Sequence, residues 1–247
     1  MMIAGNWKMN CLSAEGTSLA AEIAAGVKSK KRDCEFLVCP PFTLLSLVKK
    51  SLRGSKVALG AQDCHTAEKG AHTGDISPVM LQDLGCSYVI IGHSERRADH
   101  KESSSLVRQK AVAAHNAGLK TIICVGETLE QRESGKALDV CAKQVKDSLP
   151  DDAKAANVVV AYEPVWAIGT GKTPTPEEVE EVHAAIRAVL VKKVGKSEAA
   201  KMRILYGGSV KPSNAKSMLS LPDVDGALIG GASLKSADFI AIADSCC

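Results

Sequence analysis

Val158-Val159-Val160-Ala161-Tyr162-Glu163-Pro164 is the stretch on which the reading of the fold turns. Its apolar run is continuous, with no polar residue alternating in, which suits a parallel strand covered on both faces. Eleven residues after Pro164, Thr175-Pro176-Glu177-Glu178 reads as a helix start. Thr175 is the N-cap, Pro176 fits the first helical position, and Glu178 completes a capping box, so the spacing predicts a helix over Pro176–Lys193. Strand, loop and helix form one β/α unit. Outward from it, the same kind of run recurs at Met2–Lys8, Glu35–Cys39, Val57–Gln62, Tyr88–Gly92, Thr121–Val125, Arg203–Tyr206 and Gly226–Ile229. Amphipathic patterns lie between these runs, for example Ser13–Val27 and Ser104–Ala117, the latter stopped by Gly118. Eight strands, each followed by a helical segment, predict a (β/α)₈ barrel in the α/β class. No linker, low-complexity stretch or composition shift divides residues 1–247, which are read as one domain. A doubly wound open sheet is the alternative; it wants a glycine-rich fingerprint after the first strand, where Gly5-Asn6-Trp7-Lys8-Met9-Asn10 stands instead.

Composition narrows the function. The chain has 247 residues with 31 Lys+Arg and 28 Asp+Glu, a net charge of +3, and no long basic run, which argues against nucleic-acid binding. A chain this long buries a large core without disulfide or metal staples. The 9 cysteines include no Cys-x-x-Cys pair, and no two histidines fall at i, i+4, so neither a zinc site nor a redox pair is predicted. Lys8 interrupts the first residues before an apolar h-region forms, which predicts no signal peptide. The apolar stretch Phe36–Val48 contains two prolines and is too short for a membrane span. Reduced thiols without a targeting segment predict the cytoplasm.

In a barrel the site is built where strands end, so polar residues there carry the chemistry. The first strand ends in Asn6 and Lys8, with Trp7 pointing the other way. The fourth ends in Gly92-His93-Ser94-Glu95-Arg96-Arg97, and the sixth in Glu163. The last two end in Gly207-Gly208-Ser209 and Gly230-Gly231, whose backbone N–H groups suit an anion. A carboxylate closing an apolar strand is costly to bury, and burial alone raises its pKa towards the range of a general base. Carboxylate, imidazole, lysine and phosphate-ready glycines meet on one rim. Gly169-Thr170-Gly171-Lys172-Thr173 is not a P-loop, because Trp166 stands where that motif needs glycine. Arg96 likewise spoils a nucleophile elbow at Gly92-His93-Ser94. No dinucleotide fingerprint is present, so the chemistry needs side chains only, with neither cofactor nor metal.

These segments resemble the triosephosphate isomerase family from Met1 to the last helix. The resemblance is carried by Gly5–Asn10, Ile91–Arg97, Tyr162–Lys172, Tyr206–Ser209 and Gly230-Gly231. It implies a single-domain TIM barrel that interconverts D-glyceraldehyde 3-phosphate and dihydroxyacetone phosphate through an enediolate, in glycolysis and gluconeogenesis. Within it, Glu163 is expected as the base, His93 as the electrophile, Lys8 as the charge beside the oxyanion and Asn6 as a further hydrogen-bond donor. Glu95 is expected to hold Lys8, and Gly169, Ser209, Gly230 and Gly231 to bind phosphate. Pro164, Val165, Trp166, Ala167, Ile168, Gly169, Thr170, Gly171 and Lys172 are expected to form a lid. The resemblance also implies that the helical turn opening at Ser94 keeps His93 neutral, a tuning known for that family.

The loop Gln62–Ser77 is long for a β/α connection. The resemblance implies that it docks into the partner of a homodimer, with Thr73 reaching the neighbour and Cys11 packing in the interface. Asp63, His72, Asp75 and His100 depart from common residues of the family. Two other readings stay open from the sequence: another phosphate-binding barrel, such as a lyase or synthase, and a silent scaffold that keeps the site residues without turnover.

Overall fold

A computed structural model describes residues 1–168 and 172–247. Eight parallel strands close into a barrel in chain order, β1 (Met2–Asn6), β2 (Glu35–Cys39), β3 (Val57–Ala61), β4 (Tyr88–Ile91), β5 (Lys120–Val125), β6 (Val158–Tyr162), β7 (Ile204–Tyr206) and β8 (Gly226–Ile229). The seam is β1 on β8, with Met2 opposite Gly226 and Gly5 opposite Ile229. Between the strands run α1 (Ser13–Ser29), α2 (Leu45–Ser51), α3 (Pro78–Asp83), α4 (Ser94–Asp99), α5 (Ser104–Asn116), α6 (Leu129–Glu133), α7 (Ala137–Ser148), α8 (Pro176–Val194), α9 (Lys196–Ala199), α10 (Ala215–Leu219) and α11 (Ser236–Asp244). The predicted strands all form, several of them a residue or two shorter than predicted.

Two cores follow from the strand period of two. Met2, Ala4, Leu37, Cys39, Tyr88, Ile90, Ile122, Cys124, Val159, Ala161, Leu205 and Leu228 fill the barrel interior. Their neighbours in sequence, such as Ile3, Val38, Val89, Ile123, Val160 and Ile229, face the helices. Each strand is thus buried on both faces, which is why the runs in the sequence do not alternate. The predicted capping box of α8 is present: Thr175 Oγ1 accepts the Glu178 N–H at 3.2 Å, and Glu178 Oε2 accepts the Thr175 N–H at 2.8 Å.

One expectation is corrected. The thiols are not all reduced: Cys34 and Cys247 form a disulfide, while Cys11, Cys39, Cys64, Cys86, Cys124, Cys141 and Cys246 are free. Spacing could not give this pair, because 213 positions separate its members and the fold alone brings them together. Among the described residues no helix is long and apolar enough to cross a membrane.

Candidate active site

The inward rows of the strands deliver the site. On β6, Val159 and Ala161 point into the barrel, and Glu163 is the next inward position, just past the strand end. On β1 the row Met2, Ala4 leads to Asn6, while Trp7 points outward into the helix-facing core, as the sequence predicts. Glu163 is only 2% exposed. It survives there because its charge is compensated: Oε2 accepts the Ser94 N–H at 3.0 Å, and Oε1 lies 2.9 Å from His93 Nε2. Burial pushes the Glu163 pKa up, but His93, the Ser94 N–H and Lys8 pull it down further, and the balance lies below the ordinary carboxylate value. The expectation from burial alone is therefore reversed: Glu163 is held as a carboxylate.

His93 is the N-cap of α4, and its Nδ1 accepts the Glu95 N–H at 3.2 Å. A ring nitrogen that accepts from the backbone carries no proton, so the ring proton sits on Nε2 and faces Glu163. This is the geometry of a neutral imidazole aimed at the cleft. Burial lowers the His93 pKa, but Glu163 outweighs it and the balance is upward. The Glu163 carboxylate thus favours the proton on Nε2.

Lys8 occupies the left-handed region at φ 51°, and Cys11, three residues on, also has a positive φ of 73°. Such conformations are costly for residues with a Cβ and persist only where surroundings hold them. Here the Asn6 side chain accepts the Lys8 N–H at 3.0 Å, and Gln62 Nε2 donates to the Lys8 carbonyl at 2.8 Å and to the Cys39 carbonyl at 2.9 Å. The Lys8 ammonium pairs with Glu95. The predicted partnership of Lys8 and Glu95 is therefore present, whereas Gln62, which fixes the turn beneath Lys8, is in the sequence reading the end of a strand and the start of the long loop, with no role at the site.

Asn6, Lys8, His93, Glu163, Ile168, Ser209, Gly230 and Gly231 line one cleft of about 660 Å³ on the C-terminal rim. Lys211 and Lys235 line it too, adding positive charge that sequence reasoning did not single out. Ser233 is fully buried below this turn and donates to the Gly230 carbonyl at 2.7 Å.

The described part of the predicted lid is anchored by a residue the sequence reading missed. Glu127, fully buried after β5, accepts from Tyr162 Oη at 3.0 Å and from Trp166 Nε1 at 2.8 Å. Its carbonyl accepts the Val165 N–H at 3.1 Å. Pro164 and Ala167 are buried, Ile168 is half-buried, and Lys172 is exposed. Gly169, Thr170 and Gly171, read from the sequence as phosphate contact and lid, lie outside the described residues. Arg97 braces the histidine from below, donating to the Gly92 carbonyl at 2.8 Å and to the Cys124 carbonyl at 3.1 Å.

Thr73 is exposed on the long loop, and Cys11 is half-buried beside α1. Burial, then the Glu15 carboxylate, raises the Cys11 pKa. The loop is closed by its own backbone, with the His65 N–H donating to the Ile76 carbonyl at 2.8 Å.

Comparison with known proteins agrees with this geometry. A family profile described as triosephosphate isomerase matches residues 1–246. The triosephosphate isomerase of Afipia carboxidovorans is 56% identical over 245 residues, covering 99% of this chain and 97% of the relative. That of Bradyrhizobium diazoefficiens is 56% identical over 247 residues with the same coverage. Among solved structures, a crystal structure of triosephosphate isomerase from Bartonella henselae superposes with a TM-score of 0.92 at 52% identity, covering 99% of this chain and 98% of that one.

Proposed function

The chain belongs to the triosephosphate isomerase family, and from that premise we propose that the rim cleft is its active site, with each residue in the role below. The reaction is the reversible aldose–ketose isomerisation of D-glyceraldehyde 3-phosphate and dihydroxyacetone phosphate, by proton transfer through an enediolate. Glu163 takes the proton from the carbon beside the carbonyl and returns it to the neighbouring carbon. A carboxylate in the resting site is the form this step needs. His93 donates its Nε2 proton towards the substrate oxygens and stabilises the developing negative charge, joined by the Lys8 ammonium and Asn6. Glu95 positions Lys8. The substrate phosphate rests on backbone N–H groups of Ser209, Gly230, Gly231 and Gly169, with Lys211 and Lys235 steering the dianion inwards. Segment 164–172 closes over it, pivoting on the Glu127–Trp166 contact and excluding water from the enediolate.

To reach the substrate carbon the Glu163 carboxylate gives up the Ser94 N–H or His93, because both of its oxygens are engaged. The observation that carries this reading is that contact itself: a buried carboxylate 2.9 Å from His93 Nε2, in the same cleft as Lys8. A coupled assay with D-glyceraldehyde 3-phosphate tests it, with undiminished turnover expected in EDTA. Failure of turnover on this substrate, or its loss in EDTA, would sink the reading.

Residues 1–247 are read as a single barrel domain and the working unit as a homodimer, with Thr73 of the long loop and Cys11 at the interface. The enzyme class points to the cytoplasm. No nucleic-acid or membrane partner is proposed.

A further inference from the structure

At the end of the barrel opposite the cleft, the two termini and the start of β2 meet. The Glu35 N–H donates to the Met1 carbonyl at 3.0 Å, so Cys34 lies beside the N-terminus. The end of α11 is docked on the segment before Cys34 by charge: Asp244 accepts from Lys30 at 2.7 Å and from Arg32 Nε at 2.9 Å. The last two residues wrap back on that helix, with the Cys246 and Cys247 N–H groups donating to the Ala243 carbonyl at 3.2 and 3.0 Å. Three sulfur atoms are thereby gathered. Cys34 and Cys247 are bonded, Cys246 Sγ lies 3.8 Å from Cys247 Sγ, and all three lie within 4.8 Å of one another.

This cluster differs in kind from most of the other cysteines. Cys39, Cys64, Cys86, Cys124 and Cys141 are buried, and burial pushes their thiols up, which makes them unreactive. Cys34, Cys246 and Cys247 are each partly exposed, so a small molecule reaches them. Burial raises the Cys246 thiol as well, but the nearby Met1 ammonium pulls it the other way.

We propose that Cys34, Cys246 and Cys247 form a thiol–disulfide exchange site, in which Cys34 accepts either C-terminal cysteine as partner and low-molecular-weight disulfides supply the oxidation. Closure takes two exchanges. The Cys34 thiolate attacks one sulfur of the small disulfide, whose S–S bond breaks, and one small thiolate leaves and takes up a proton. The Cys247 thiolate then attacks Cys34 Sγ in the mixed disulfide, and the second small thiolate leaves. Two protein thiols are oxidised by two electrons, and the small disulfide is reduced to two thiols. Partner exchange needs no further oxidant. Cys246, deprotonated, attacks Cys34 Sγ, the bond to Cys247 breaks, and Cys247 leaves as the thiolate and takes up the proton. The closed form joins the start of β2 to the chain end and encloses β2 to β8 in one covalent ring, leaving the catalytic rim untouched at the other end.

The test equilibrates the full-length protein in reduced-to-oxidised glutathione series, traps free thiols by alkylation, and maps tryptic peptides by mass spectrometry. Peptide Asp33–Lys49 is expected to cross-link to peptide Ser236–Cys247 as the buffer becomes oxidising. Cys247→Ser is expected to keep that cross-link through Cys246, and Cys246→Ser through Cys247. Cys246→Ser/Cys247→Ser together are expected to leave Cys34 only as its mixed disulfide with glutathione. Isomerase turnover at the parent level shows that each variant has folded. A Cys34 that stays alkylated as a free thiol across the series overturns the proposal. So does a Cys247→Ser protein with no link to Cys246, or a cross-link that runs between two molecules.

Discussion

Gly207→Ala probes the geometry of the base without touching its chemistry. Gly207 is the next inward position after Leu205 on β7, across from Glu163. A Cβ built there stands 2.8 Å from Glu163 Cγ and 3.1 Å from the Tyr162 carbonyl oxygen. Carbon atoms pack best at about 3.5–4.0 Å, so the neighbour must yield by about 1 Å. The backbone has little room to retreat, because the Gly207 N–H donates to that same Tyr162 carbonyl at 2.7 Å. Glu163 is the group that moves. A misplacement of about 1 Å costs on the order of 10²-fold in rate, equivalent to about 2.7 kcal/mol in the barrier. The residues proposed to hold the phosphate, Ser209, Gly230 and Gly231, are not substituted, so turnover is expected to fall while KM changes little. Steady-state kinetics in both directions, with circular dichroism to verify the fold, would read this out. A double cycle with Glu163→Asp adds a sharper check: both changes act on one carboxylate, so their losses should not multiply. A Gly207→Ala enzyme that turns over at close to the parent rate would refute the placement of Glu163 against this turn.

Three further predictions follow from other parts of the molecule. Glu163→Asp alone withdraws the carboxylate by one methylene and is expected to lower turnover on the order of 10²-fold with substrate affinity nearly kept, as steady-state kinetics would reveal. His183 is fully buried, its Nδ1 is 3.0 Å from the Asp223 carbonyl, and burial lowers its pKa to about 4 from an ordinary 6.5. The fold holds this ring neutral, so the contribution is whole above pH 6.5 and is lost as pH falls towards 4, by about 3 kcal/mol; urea titrations should show this loss in the parent and a flatter acid limb in His183→Gln. Reducing the Cys34–Cys247 disulfide releases a ring closed across 213 positions, worth about 5 kcal/mol in chain entropy, so the melting temperature should drop by about 10 °C in reductant and not at all in Cys34→Ser.

The sequence made legible whatever a single strand and its ending determine. Glu163 could be found because the row Val159, Ala161, Glu163 places a carboxylate where an apolar side chain belongs. Asn6 and Lys8 follow from the same logic on β1. Glu127 could not be found that way. Its burial is compensated by Tyr162 from the next strand and by Trp166 from the loop beyond it, and neither partner is near it in sequence. Gln62 was hidden for a similar reason, since its side chain reaches the carbonyls of Lys8, past the end of β1, and of Cys39 on β2. The sign of the Glu163 pKa shift also escaped the reading, because burial pulls one way and the Ser94 N–H and His93 pull the other, and only geometry weighs them. The disulfide depends on where α11 docks, which its buried Phe239, Ile242 and Ala243 set, with Asp244 pairing with Lys30 and Arg32 at its end.

Proton transfer by Glu163 is the central claim, and isotope exchange measures it directly. Dihydroxyacetone phosphate incubated with the protein in deuterium oxide should yield glyceraldehyde 3-phosphate carrying deuterium at the carbon that receives the proton, with exchange into recovered substrate. Both signals, followed by NMR, should vanish in Glu163→Gln while its phosphate affinity stays near that of the parent. Deuterium incorporation that persists at the parent rate in Glu163→Gln would contradict the account.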